Sequence, residues 1–189
     1  MPAIPHCQPW LSVEEFLAAE TGYKVKHEYL GGMIYAMAGA SLPHNTIGAN
    51  LAGILYACLR GRRCQPFGSD MKARLSLGSN TYFYYPDAMI VCGQAGLGTS
   101  WCERPSVIFE IISESTCSID EREKRIAYLS LPSLDAYVRI EQDRLEVTIE
   151  HRDPAGWRRE VLGEGDMIRL ATVEVEFPVA ALYERLAVN

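Results

Sequence analysis

Residues 105–112, Pro-Ser-Val-Ile-Phe-Glu-Ile-Ile, put Val107, Phe109 and Ile111 on one alternating face and Ile108 and Ile112 on the other. Both faces are apolar, and a strand of that kind belongs in the middle of a sheet covered on both sides. Residues 82–92 have the same character. A carboxylate interrupts each run: Asp87 in Tyr-Tyr-Pro-Asp-Ala-Met-Ile-Val and Glu110 between Phe109 and Ile111. An unpaired buried carboxylate costs several kcal/mol, so each acid needs compensation. An arginine partner or a place at the sheet edge would suffice for either acid alone. Two facing acids on neighbouring strands repel unless one is protonated or a cation lies between them, and carboxylate and carbonyl oxygens suit Mg²⁺ or Mn²⁺. Pro86 fits a strand that is bulged or frayed at that point, which would aim Asp87 toward a site.

Around these strands the chain reads as follows. Ser12 with Glu15 forms a capping box for a helix over 13–20. Residues 25–30 and 33–38 are β-prone runs joined by Gly31-Gly32, a tight-hairpin signal. Apolar residues at helical spacing predict a helix over 45–60, and residues 70–77 a strand. A second capping box, Ser118 with Glu121, opens a helix to about 129, which Pro132 stops. Strands over 134–141 and 145–152 and a closing helix over 178–187 follow, with turns at Gly156 and at 163–165. This order predicts an α/β or α+β fold with one mixed sheet, as a single domain over residues 1–189. With 48% hydrophobic and 22% charged residues, the chain has enough apolar surface for one core.

The 18 Lys+Arg against 24 Asp+Glu leave a net charge of −6, which excludes a protein that coats nucleic acid by bulk charge. The charge is unevenly spread. Residues 60–74 carry Arg60, Arg62, Arg63, Lys72 and Arg74 against Asp70 alone, whereas residues 75–120 carry five acids against Arg104. Such a basic segment would suit DNA beside an acidic pocket, and helix-dipole complementation would equally explain its three clustered arginines. Cysteines at 7, 58, 64, 92, 102 and 117 show neither CxxC nor zinc-finger spacing and read as reduced thiols. No apolar run reaches signal-peptide or membrane-spanning length, so a cytoplasmic protein that avoids membranes is expected.

Tyr85-Pro86-Asp87, then Glu110-Ile-Ile-Ser-Glu-Ser-Thr116, then Asp120-Glu-Arg-Glu-Lys124-Arg-Ile-Ala-Tyr128 resembles the Uma family of putative restriction endonucleases, within the PD-(D/E)XK nuclease superfamily. His27-Glu28-Tyr29-Leu-Gly-Gly, Met37-Ala-Gly-Ala-Ser41 with His44-Asn45, and Gly156-Trp157 extend the likeness along nearly the whole chain. The resemblance implies a restriction-endonuclease-like mixed sheet flanked by helices, with an N-terminal hairpin and a C-terminal strand extension. It implies an Mg²⁺-dependent endodeoxyribonuclease, with Mn²⁺ as the other candidate ion. Asp87, Glu110 and the Ile111 carbonyl would hold the metal. Where the superfamily pattern has lysine two residues after the acid this chain has Ile112, and the matching ammonium is Lys124 on the following helix. Without the resemblance, Lys124 would read as a solvated lysine paired with Asp120 or Glu121. Glu28 matches a recurring acid and reads either as a third carboxylate or as a surface hairpin residue. His44 reads as a helix-capping residue and Tyr128 as a packing residue.

DNA is the expected partner, and a homodimer the expectation for a double-strand cutter. The alternatives are a non-catalytic DNA-binding or assembly module retaining the nuclease fold, motivated by Ile112, and two-carboxylate acid/base chemistry of the glycosidase kind.

Overall fold

The computed structural model describes residues 10–112 and 118–187, with the side chains of 118–121 left aside. Cys7, Cys117, the Ser113–Thr116 part of the family-like run, and the side chains of the Ser118/Glu121 capping box therefore lie outside the described residues.

Helix α1 (Val13–Glu20) starts where expected: Ser12 Oγ accepts from the Glu15 N–H, and the Glu15 carboxylate accepts from the Ser12 N–H at 2.7 Å. Strands β1 (His27–Leu30) and β2 (Met33–Ala36) form the hairpin, with Gly31 and Gly32 at φ 58° and 111°. A Cβ at Gly32 would sit 2.3 Å from the Trp10 ring. Gly32→Ala is therefore expected to lower the urea-unfolding free energy by about 1–2 kcal/mol, through backbone strain that moving the exposed Trp10 side chain does not relieve.

Helix α2 (Leu42–Leu59) is capped by Ser41 and buries Ile47, Leu51, Leu55 and Leu59, which are spaced to line one face. Then come β3 (Cys64–Gly68), β4 (Lys72–Leu77), β5 (Asn80–Tyr84), β6 (Ala88–Cys92), β7 (Trp101–Cys102), β8 (Val107–Ile112), α3 (Ser118–Leu129), β9 (Ala136–Glu141), β10 (Val147–Asp153), β11 (Gly156–Leu162), β12 (Met167–Leu170) and β13 (Val175–Pro178). The expected closing helix is a 3₁₀ turn over Val179–Tyr183. Strands β3, β7, β11, β12 and β13 are additions to the sequence reading.

Where the sequence predicts one sheet there are three among the described residues: β2-β1-β5-β4-β7, β11-β10-β9-β8-β6-β3 and β12-β13. Both large sheets are mixed, and the six-stranded one lies between α2 and α3. In it β8, α3 and β9 make a parallel crossover, and β8 pairs antiparallel with β6 on its other side. As its two-faced pattern required, β8 is central: Val107, Phe109 and Ile111 join the α2 core, while Ile108 joins a second core with Ala127 and Tyr128 of α3.

The run over 82–92, expected as one strand, divides at Tyr85-Pro86-Asp87. Its first part, in β5, belongs to the five-stranded sheet, and its second, β6, to the six-stranded sheet. Pro86 has no N–H for a ladder, so the break falls where the backbone can least sustain pairing.

The cysteine reading needs correction. Cys64 and Cys92 stand opposite each other in the β3–β6 register, with Cα atoms 4.0 Å apart, and are joined in a disulfide. Strand pairing brings them together from 28 positions apart, with no spacing motif in between. Cys58 and Cys102 are free thiols.

Candidate active site

Asp87 stands at the junction between the two large sheets. The β6–β8 ladder ends at the Ala88–Phe109 pair, leaving the Ile111 N–H without a strand partner on that side, and Asp87 Oδ2 accepts it at 2.6 Å. A carboxylate thus replaces a ladder carbonyl and comes to lie against the backbone that carries Glu110. The other Asp87 oxygen, Oδ1, is 3.2 Å from His44 Nε2 in the first turn of α2. His44 N also donates to the capping Ser41 Oγ at 3.2 Å. The Asp87 partnership raises the His44 pKa above its ordinary value, against the opposing effect of burial. Local spacing reads His44 only as a capping residue, because 43 positions separate it from Asp87.

Glu110 is 8% exposed and accepts from the fully buried Tyr128 hydroxyl at 2.9 Å. Tyr128 packs, as expected, its ring 5.5 Å from that of Tyr84, and it also fixes one Glu110 oxygen. Burial pushes the Glu110 carboxyl up to about 8, opposed by the Lys124 ammonium and reinforced by Asp87 and Glu28. Between the ordinary 4.5 and about 8, folded Glu110 keeps a proton that the unfolded chain has lost. The stability of metal-free protein is therefore expected to fall as pH rises through that window, by as much as about 5 kcal/mol, with Glu110→Gln flattening the slope. Urea midpoints across the window test this.

Lys124, on α3, has Nζ 2.7 Å from Glu28 Oε1 and 5.7 Å from the Tyr84 ring centroid. The pairing with Asp120 or Glu121 that local spacing suggests involves side chains outside the described residues. Glu28 is 7% exposed on β1, so it is no surface hairpin residue; it faces the ammonium of Lys124.

Asp87, Glu110, Ile111, Lys124 and His44 all line one cavity of about 780 Å³. Two carboxylates and adjacent backbone oxygens form a hard donor set. No group of three or more His, Cys, Asp or Glu among the described residues forms a metal cage. Mg²⁺ characteristically binds through one or two carboxylates with retained waters, so these residues fit that ion.

Ser69 lines this cavity, but the arginines of the segment over 60–74 do not flank it as the sequence suggested. Arg60 caps the far end of α2, and at about 1.5 Å per residue it is about 24 Å along the helix from His44. Arg62 pairs with Glu174, Arg74 pairs with Glu103 and stacks on Trp101, and Lys72 is buried over the Tyr85 ring. Complementing the C-terminal end of the α2 dipole accounts for the position of Arg60.

The match with known proteins covers most of the chain. Residues 13–181 match the Uma2 family model, described as "Putative restriction endonuclease". Two uncharacterized proteins of Synechocystis, slr1290 and sll1609, are each 30% identical to this chain. The first match covers 95% of this chain and 94% of the relative, the second 87% and 95%. A crystal structure of a putative nuclease belonging to DUF820 from Anabaena variabilis has the same fold, with a TM-score of 0.70 over 91% of this chain and 97% of that one at 16% identity. No helix among the described residues is long and apolar enough to cross a membrane. On the family match and the near full-length relatives, the chain belongs to the Uma2 family of restriction-endonuclease-like proteins.

Proposed function

We propose that this protein is a metal-dependent endonuclease hydrolysing DNA phosphodiester bonds. The observation that carries the reading is the convergence on one cavity of two carboxylates, Asp87 from the junction between the sheets and Glu110 from β8, with an ammonium, Lys124, delivered from α3. Asp87 and Glu110, with the Ile111 carbonyl, would hold Mg²⁺ or Mn²⁺. When bound, such an ion polarises a phosphoryl oxygen and lowers the pKa of water.

The chain's own groups supply the rest. The Ile111 N–H and His44 fix the plane of Asp87 from either side, and Tyr128 fixes Glu110. Lys124 brings positive charge to the place where the phosphate gains negative charge. Glu28 aims that ammonium, which makes it a positioning residue. Delivery of the lysine by α3 answers the departure at Ile112, because the chemistry requires an ammonium near the phosphate, whichever element carries it.

The test is Mg²⁺- or Mn²⁺-dependent cutting of plasmid and branched DNA, with Mn²⁺ binding followed in parallel. Cutting that stops in EDTA supports the reading. Purified protein that binds DNA, never cuts and shows no Mn²⁺ site dependent on Asp87 would instead be a non-catalytic module retaining the fold.

A further inference from the structure

We propose that the cavity takes a single DNA strand, with an unstacked nucleotide against the paired loops over 24–26 and 37–40, in preference to intact duplex. The inference rests on the nuclease reading and names its substrate class. Three observations carry it.

The first is recession. Glu110 is 8% exposed, and the side chains of Asp87 and Lys124 are 16% and 15% exposed, so a scissile phosphate must enter the cavity to reach them. The second is the chemistry of the walls. Val25 on one loop and Met37, Ala38 and Ala40 on the other line the cavity and offer no side-chain donor to a phosphate rail. The two loops are tied by the Met37 N–H donating to the Lys26 carbonyl at 2.9 Å, so these walls stand together. Apolar walls accept the face of a base pulled out of its stack, and a duplex keeps its base faces inside. Ser41 and Gln142, hydrogen-bonded at 2.9 Å, add neutral polar groups of the kind that read base edges.

The third is the thin cationic lining. Duplex binding through many phosphates needs a row of lysines and arginines. Here the cavity has Lys24, Lys26 and Lys124, of which Lys26 is paired with Asp70 at 2.6 Å and Lys124 with Glu28. Arg60 and Arg62, which could extend a track, lie at and beyond the far end of α2. A volume of about 780 Å³ has room for a nucleotide and its phosphates and not for a double helix.

The experiment compares a fluorescein-labelled single strand with the same strand in a blunt duplex, by anisotropy, on Asp87→Asn protein and on wild type in EDTA. The single strand is expected to bind at least about tenfold tighter than the duplex. Val25→Glu is expected to weaken single-strand binding about tenfold, while Val161→Glu, on β11 away from the cavity, leaves it unchanged; circular dichroism confirms folding of both. Equal or tighter duplex binding, undetectable single-strand binding, or a folded Val25→Glu protein that binds the single strand like wild type overturns the proposal. Single-strand preference without metal-dependent cutting sinks the nuclease reading alone, and cutting with duplex preference sinks this inference alone.

Discussion

Asp87→Asn and Lys124→Met are each expected to abolish most metal-dependent cleavage, and they should separate on metal binding. Asp87 carries a proposed ligand oxygen, so its amide variant should lose Mn²⁺ binding together with about a thousandfold or more of the cleavage rate. Asparagine preserves the shape and can still accept from the Ile111 N–H, so the fold should survive. Lys124→Met removes a charge that acts on the phosphate rather than on the ion. Removing one such electrostatic group typically costs about 10²–10³ in rate. Mn²⁺ binding should persist in that variant, and should tighten if anything, because a cation beside Glu110 is gone. Calorimetric Mn²⁺ titration beside single-turnover cleavage reads both. Loss of Mn²⁺ binding in Lys124→Met, or full cleavage by Asp87→Asn, would contradict the assigned roles. Glu28→Gln should fall between wild type and Lys124→Met, since it leaves the ammonium in place but removes the carboxylate 2.7 Å from it.

Arg125→Ala is expected to cost the fold about 3 kcal/mol, a fall in Tm of about 6–12 °C for a chain of this length. Arg125 follows Lys124 on α3 and points elsewhere: its Nε donates to Glu150 Oε2 at 2.7 Å, and a terminal guanidinium nitrogen donates to Oε1. Glu150 is 2% exposed on β10, so truncating the arginine leaves a buried carboxylate without its counter-charge. The partial exposure of Arg125, 38% of its side chain, lets water reach the variant and keeps the figure at the low end of the range for buried pairs. Replacing both partners by apolar residues, as in Arg125→Met/Glu150→Leu, should restore most of the stability because no charge then remains buried. Differential scanning calorimetry of the three proteins decides the matter. The bidentate pair anchors the same turn of α3 that delivers Lys124, so Arg125→Ala should also slow cleavage below the unfolding temperature.

Several of these features were legible in the residues. The Ser12/Glu15 box and the Gly31-Gly32 turn are local, each set by contacts within a few positions, and both appear as read. The two-faced apolar pattern of β8 is likewise a statement about its own side chains and correctly implied burial on both sides. Strand β3 escaped because its polar residues dilute any period and its partner β6 lies further along the chain; β11 is largely exposed, and β12 and β13 are only four residues each, although all three pair with chain neighbours. The basic segment misled for a related reason. Sequence proximity to the acids says nothing of distance: Arg60 sits at the end of the 18-residue helix α2 opposite to His44, which contacts Asp87.

Asp87 and Glu110 are anomalous from residue order alone, since apolar runs leave a carboxylate without solvation, and the family likeness matched Lys124 to them. Tertiary structure alone decided what surrounds them. The division of residues 82–92 between two sheets puts Asp87 at a junction where its carboxylate can take the Ile111 N–H. Crossings of 43 and 96 positions bring His44 to Asp87 and Glu28 to Lys124. These contacts depend on how sheets and helices pack, a property of the whole chain, and residue order near any one of them does not encode it.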